Sequence, residues 1–193
     1  EQRANFDGMT GLLNRDGFFT RLDQMRADEM ANVLMIVDVD HFKNINDSFG
    51  HPIGDQALIL LSKIFRKILR ENDLIGRIGG EEFGIFLHNT SASEGQIIGE
   101  MIRYEIENTV FEPHHNMRHV ITVSIGVTDV APHQERSTLM VNADTALFSA
   151  KRSGRNRVVL FEPGMRSKPR PVHENAPNLK LAMPNVNFRL RGI

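Results

Sequence analysis

Apolar positions along this chain recur with two periods, and the alternation between them lays out the fold. Phe18, Phe19, Leu22 and Met25 fall at three-to-four spacing and predict a helix over 16–27. Val33-Leu34-Met35-Ile36-Val37 is a short unbroken apolar run, the pattern of a strand buried on both faces. Ala57, Leu60, Leu61, Ile64, Phe65 and Ile68 mark one face of a helix over 53–70. Two short runs, 74–78 and 83–87, flank Gly79-Gly80 and predict a β-hairpin joined through the double glycine. Ile98, Met101, Ile102 and Ile106 predict a helix over 92–109, and the β-branched stretch 120–127 a strand. Leu139, Met140, Ala143, Leu147 and Ala150 mark a last helix stopped by Gly154, and 157–161 a last strand.

The order is therefore α, β, α, β-β, α, β, α, β. Strands alternate with helices but include a hairpin, so the expected class is α/β (α+β) with a mixed central sheet surrounded by helices. The polar opening 1–6 reads as the end of an upstream helix or a linker, and 7–162 as one domain. Five of the eight prolines lie from Pro163 onward and helical periodicity stops there. Residues 163–193 read as a Pro-rich tail or linker, with a terminal strand possible where Val186, Phe188 and Leu190 alternate with polar residues.

Composition narrows the function. The 193 residues carry 23 basic and 24 acidic side chains, a net charge of −1, so general affinity for nucleic acid or acidic membranes is not suggested and any phosphate site must be built locally. The absence of cysteine removes disulfides, thiolate metal sites and cysteine nucleophiles. No apolar run reaches the roughly 20 residues of a membrane span and no signal peptide is visible, so a cytoplasmic location without direct membrane contact is expected.

Chemistry gathers in a few places. The hairpin tip reads Gly79-Gly80-Glu81-Glu82-Phe83, and paired acids at a turn repel unless a cation or a proton transfer uses them. The apolar strand runs into Asp38-Val39-Asp40-His41-Phe42-Lys43; carboxylates just past a buried strand are rigidly held and suit hard cations. They equally suit capping of the next turn. An EF-hand is excluded, because Phe42 and Lys43 stand where it needs an oxygen ligand and a glycine. Residues 43–55, rich in Asn, Asp, Gly and Pro, predict a turn-rich connection whose polar side chains could also read a purine edge. Lys151-Arg152-Ser153-Gly154-Arg155 either complements a helix dipole or clamps phosphates. His114, His115 and His119 lack a carboxylate or cysteine at ligand spacing and read as a solvated loop.

Together these segments resemble the GGDEF family of bacterial diguanylate cyclases over about residues 7–161. Asp7-Gly8-Met9-Thr10-Gly11-Leu12-Leu13-Asn14-Arg15 is similar to the family's opening motif, with Met9 for the usual leucine. Asp38 to Asp55 is similar to its Asp-x-Asp-x-Phe-Lys-x-x-Asn-Asp-x-x-Gly-His-x-x-Gly-Asp pattern at every fixed position. Gly79 to Phe83 is the signature in its Glu variant, and Lys151 with Arg155 matches Lys-x-x-Gly-Arg.

The resemblance implies a fold like nucleotidyl cyclases and polymerase palm domains, with a five-stranded sheet. It implies condensation of two GTP into cyclic di-GMP and two pyrophosphates, each 3′-hydroxyl attacking the other's α-phosphate across an antiparallel homodimer. It implies two Mg²⁺ ions, replaceable by Mn²⁺, held by Asp38, the Val39 carbonyl and Glu81. Glu81 also serves as the candidate base, with Glu82 supporting. Lys43, Lys151 and Arg155, with the backbone N–H groups of His41 and Phe42, would grip phosphates. Asn46 and Asp55 would read guanine, with His51 nearby. Arg70 and Asp73, as Arg-x-x-Asp ahead of Gly79, correspond to an inhibitory product site, whose usual second arginine is replaced by Met101, with Arg103 near. An upstream sensor or dimerisation domain is implied as a partner. The alternative is a catalytically silent receptor for GTP or cyclic di-GMP.

Overall fold

A computed structural model describes residues 5–26 and 30–167. Most of the expected tail, including the strand at Val186, Phe188 and Leu190, lies outside the described residues, as do the first four. Asn5 and Phe6 are described, and Phe6 forms an isolated bridge with Leu13.

Helix α1 (Arg15–Met25) begins at Asn14, whose side chain accepts from the Gly17 N–H. Strand β1 (Asn32–Val39) follows, then α2 (Phe42–Phe49) and α3 (His51–Ile68). Strands β2 (Leu74–Arg77) and β3 (Glu82–Leu87) form the expected antiparallel pair. Helix α4 (Ala92–Asn108) starts with a reciprocal Ser91–Glu94 capping box. A small hairpin, β4 (Phe111–His114) and β5 (Met117–His119), precedes β6 (Val123–Val130), α5 (Arg136–Arg152) and β7 (Val158–Leu160).

The main sheet has the order β2-β3-β1-β6-β7, antiparallel except for the parallel β6–β7 pair, so it is mixed as expected. Strand β1 lies at its centre with every residue buried. Its side chains alternate between two cores. Val33, Met35 and Val37 pack with Leu58, Leu61 and Phe65 of α3 and Ile102 and Ile106 of α4. Leu34 and Ile36 pack with Phe18 and Leu22 of α1 and Leu139 and Leu147 of α5. The molecule is thus helix, sheet, helix, and the unbroken apolar run is what a strand covered on both faces requires.

Two expectations need correction. Residues 43–55 are not a turn-rich connection: they form α2 and the start of α3, broken only at Gly50, whose φ of 88° ends one helix and begins the other. Phe42 and Ile45 are buried in the α3-side core, which holds this polar segment helical. The hairpin is joined through the double glycine as expected. Residues 78–81 connect the strands, and neither Gly79 nor Gly80 is among the positive-φ glycines. The histidine cluster is only partly a loop: His115 lies exposed in a turn, whereas His114 and His119 lie in β4 and β5 and stand edge-on to the Phe49 ring, at centroid distances of 5.9 and 5.3 Å.

Helix α5 lies directly on β6 at Gly126, where a Cβ would collide with the Ala143 carbonyl and the Leu147 backbone. Gly126→Ala should therefore destabilise the fold by about 3 kcal/mol. The expected reading is a lower urea midpoint at unchanged slope. Gly8→Ala, which points into open space, should move the midpoint little.

Candidate active site

The end of β1 concentrates the polar chemistry. Asp38 is only 5% exposed, and its Cα lies opposite Glu82 of β3 on one side and Ser124 of β6 on the other. Lys151, on the last turn of α5, places Nζ 2.7 Å from an Asp38 carboxylate oxygen. Burial pushes the Asp38 carboxyl above its ordinary value, and the Lys151 contact opposes that push. A buried carboxylate with a single ammonium partner is a strong attractor for cations.

Glu81 precedes β3. Its carbonyl accepts from the Val39 N–H at 3.2 Å, so the turn is tied to the end of β1 and the Glu81 side chain is brought toward Asp38. Burial raises the Glu81 pKa first and the Asp38 charge second. Glu82 is half-buried, with a carboxylate oxygen lying over Gly79, where an added Cβ would meet it at 2.6 Å. Gly80 faces open space, so ligand atoms can approach its backbone closely.

The turn is held by residues that the motif reading gave no role. The Arg77 guanidinium donates to the Gly80 carbonyl at 2.7 and 3.1 Å and pairs with Asp7 at 3.3 Å. Asp7 in turn accepts from the Thr10 N–H and hydroxyl. Arg15 donates to the Ile78 carbonyl at 2.9 Å. The opening motif therefore braces the acidic turn. Arg77 sits where an alternating strand would place it, and only the Asp7 charge 70 positions earlier hints at its partner.

Glu82, Asp144, Leu147, Phe148, Lys151, Arg152 and Arg155 line a cavity of about 570 Å³ beside Asp38. Its cations and its volume suit a polyphosphate. Arg155 is reached through a left-handed turn, with φ of 113° at Gly154 and 63° at Arg155.

Asp40, whose stretch read equally as cation ligands or as caps for the next turn, is hydrogen-bonded into the sheet. Its carboxylate accepts from Ser124 Oγ at 2.7 Å, Thr122 Oγ1 at 2.8 Å and the Asn156 N–H at 3.0 Å. Those donors use most of its acceptor capacity, so it is built into the frame.

A second group lies across the β1–α2 corner. His41, exposed and left-handed at φ 55°, begins α2; Phe42 is buried, and Lys43 is exposed on the first turn. The Asn46 carboxamide rests against Gly54, where any Cβ would collide with it. His51 and Asp55 stand exposed on the first turns of α3. Among the described residues no hydrogen bond or ion pair joins Asn46 or Asp55 to the Asp38 group.

Arg70 and Asp73 form a third, separate place. The Asp73 carboxylate accepts from the Arg70 N–H at 2.9 Å and the His88 N–H at 3.3 Å, closing the turn into β2. Met101 is exposed on α4, while Arg103 is held by Glu100, Glu107 and Asn156.

Comparison with known proteins gives the same pattern a lineage. The family described as "Diguanylate cyclase, GGDEF domain" matches residues 4–157. The chain is 36% identical over 161 residues to the probable diguanylate cyclase DgcT of Escherichia coli (strain K12), covering 81% of this chain and 36% of that protein. It is 32% identical over 179 residues to a protein named cyclic di-GMP phosphodiesterase PdeB, of Shewanella oneidensis, covering 92% of this chain and 20% of that one. The chain thus spans about a third of the first relative and a fifth of the second. The crystal structure of the GGDEF domain of DgcB from Caulobacter crescentus, in complex with c-di-GMP, is similar at a TM-score of 0.78 and 34% identity, over 81% of this chain and 95% of that one.

The Glu81 shift has a pH signature. Folded Glu81 keeps its proton above the ordinary value of 4.5, so the folded state binds more protons than the unfolded one in that interval. Stability then falls as pH rises from about 4.5 through the raised value. Glu81→Gln should raise the thermal midpoint by about 1–3 °C at pH 7.5. The gain should vanish near pH 4, where Glu81 is already neutral. A gain of equal size at both pH values would exclude this electrostatic origin.

Proposed function

We propose that this chain, which belongs to the GGDEF-domain family of diguanylate cyclases, condenses two GTP molecules into cyclic di-GMP. The observation that carries the reading is Asp38: a buried carboxylate at the end of the central strand, facing Glu82, with Lys151 Nζ at 2.7 Å and a cationic cavity alongside.

Asp38 and Glu81, with the Val39 carbonyl, would hold divalent cations, Mg²⁺ or in its place Mn²⁺. The donors fit: they are hard oxygens, and an ammonium already occupies the attracting position. Among the described residues no three His, Cys, Asp or Glu side chains converge into a ready cage. Mg²⁺ suits such a partial set, because it takes one or two carboxylates and completes its shell with phosphate oxygens and water. The cation's chemistry is to neutralise charge that develops on the α-phosphate and the leaving pyrophosphate.

The chain's own groups divide the remaining work. Lys151 and Arg155 bind the phosphates from the cavity, and Lys43 approaches from α2. The left-handed turn at His41 presents the His41 and Phe42 N–H groups at the start of that helix. Asn46, backed by Gly54, and Asp55 read the guanine edge; an exposed carboxylate there accepts from guanine N1–H and N2–H, and His51 stands beside them. Glu81 accepts the 3′-hydroxyl proton, and Glu82 keeps the turn negative around it. The 3′-oxygen bonds to the α-phosphorus of the other GTP as the bond to pyrophosphate breaks, once in each direction. One chain holds one GTP, so two copies meet antiparallel and activity rises steeply with protein concentration.

Cyclic di-GMP also binds at Arg70 and Asp73 as an inhibitor in this reading. With Met101 exposed and Arg103 engaged, α4 offers that site no ready second arginine. The domain spans 7–162, follows an upstream sensor or dimerisation module, and works in the cytoplasm. Among the described residues no helix is long and apolar enough to cross a membrane.

Incubation with GTP and Mg²⁺ under enforced dimerisation should yield cyclic di-GMP, and Asp38→Asn should lower that rate by on the order of 10²-fold. Nucleotide binding without product would instead mark a silent receptor, and consumption of added cyclic di-GMP would mark a hydrolase. Asp55→Ser should reduce the preference for GTP over ATP by about tenfold. Undiminished discrimination would remove Asp55 from the guanine site.

A further inference from the structure

Residues 154–156 are all left-handed: φ is 113° at Gly154, 63° at Arg155 and 45° at Asn156. Side-chain-bearing residues in that region each cost about 1–3 kcal/mol and persist only where the surroundings over-determine them. The surroundings here do so. The Asn156 N–H donates to Asp40 Oδ2 at 3.0 Å. Its Nδ2 donates to Glu107 at 2.7 Å, and its Oδ1 accepts from Arg103 at 3.0 Å. The Arg155 N–H donates to the Ala150 carbonyl, and its own carbonyl accepts from Arg157 Nε. Asp40 is itself 5% exposed and anchored to Thr122 and to Ser124 of β6. The frame thus runs from the central sheet and from α4 to the one residue that follows Arg155, and the Arg155 side chain lines the cavity beside Asp38.

We infer that Asp40 and Asn156 are positioning residues that fix Arg155 in its left-handed conformation and so pre-set the guanidinium for a nucleotide's terminal phosphates. Neither touches the substrate. Asp40 supplies the acceptor for the backbone, and Asn156 supplies both tolerance of positive φ and the side-chain grip on α4. The advantage is entropic: an aimed guanidinium loses less freedom on binding than a mobile one. The inference rests on the phosphate-binding role given to Arg155 above.

The test measures affinity, not turnover, by calorimetry with α,β-methylene-GTP and with GMP in the presence of Ca²⁺. Arg155→Met alone checks the underlying role and should weaken triphosphate binding by about tenfold. Asp40→Ala, which removes the acceptor from the Asn156 N–H, should weaken it by a similar factor and leave GMP affinity within about twofold. In the Arg155→Met background Asp40→Ala should have no further effect. Should Asp40→Ala not fold, Asn156→Ala and Asn156→Gly replace it: both lose the grip on α4, but glycine accepts positive φ and should recover part of the triphosphate affinity. Equal loss for GMP and triphosphate, additivity with Arg155→Met, or no loss at all would overturn the positioning role. An Arg155→Met variant of unchanged affinity would overturn the phosphate role itself, and the inference with it.

Discussion

The structure turns on one carboxylate that the central strand carries out of the core and leaves almost without water. Asp38 cannot stay charged there unless a cation compensates it, and in the free chain Lys151 does so. That pairing joins the end of β1 to the last turn of α5. Strand β1 supplies the anion at a fixed height, α5 supplies a cation from its last turn, and β3 supplies further negative charge in register with Asp38. A phosphate-bound cation entering this place would release Lys151 toward the phosphates, so one side chain serves as counter-ion in the free chain and as phosphate ligand in the reading proposed here.

Holding two acids on a turn beside a third is electrostatically unfavourable, and the chain answers with backbone contacts. Arg77 grips the Gly80 carbonyl, Arg15 grips the Ile78 carbonyl, and the Val39 N–H binds the Glu81 carbonyl. Asp7 keeps Arg77 in place from the opposite side. The two guanidinium groups grip backbone carbonyls and leave the turn's own carboxylates available. The opening motif, remote in sequence from the signature, is in structural terms its support.

Where the sequence spoke through periodicity, it was readable. The run Val33–Val37 became a strand buried on both faces, and the stripes on 53–70 and 92–109 became α3 and α4. The segment 43–55 misled because Asn, Asp, Gly and Pro favour turns locally. The contrary signal was present in Phe42, Ile45 and Phe49, one helical stripe facing the α3-side core. Of the candidate site, the Asp38–Lys151 contact joins two charge clusters that the sequence already displayed. The rest of the site was illegible where a contact joins residues far apart: Asp40 meets Asn156 across 116 positions, and Asp7 meets Arg77 across 70. Local composition carries no trace of such pairings: the register of the β1–β6 and β6–β7 pairs brings Asp40 to Asn156, and the Leu13–Gly76 bridge with the Arg77 N–H to Leu13 carbonyl bond brings Asp7 to Arg77.

Four carboxylates crowd this corner, and the fold assigns their capacities by how many donors each already has. Asp40 accepts three hydrogen bonds and has little left to give a cation. Glu82 is confined over Gly79 at the rim of the cavity. Asp38 pairs with one ammonium, that of Lys151, and Glu81 has its backbone carbonyl tied to the Val39 N–H. Spare acceptor capacity therefore remains on Asp38 and Glu81, on adjacent strand ends linked by the Val39–Glu81 hydrogen bond. In the reading proposed here, that distribution makes the pair, and not the Asp-x-Asp sequence as such, the place for a hard cation.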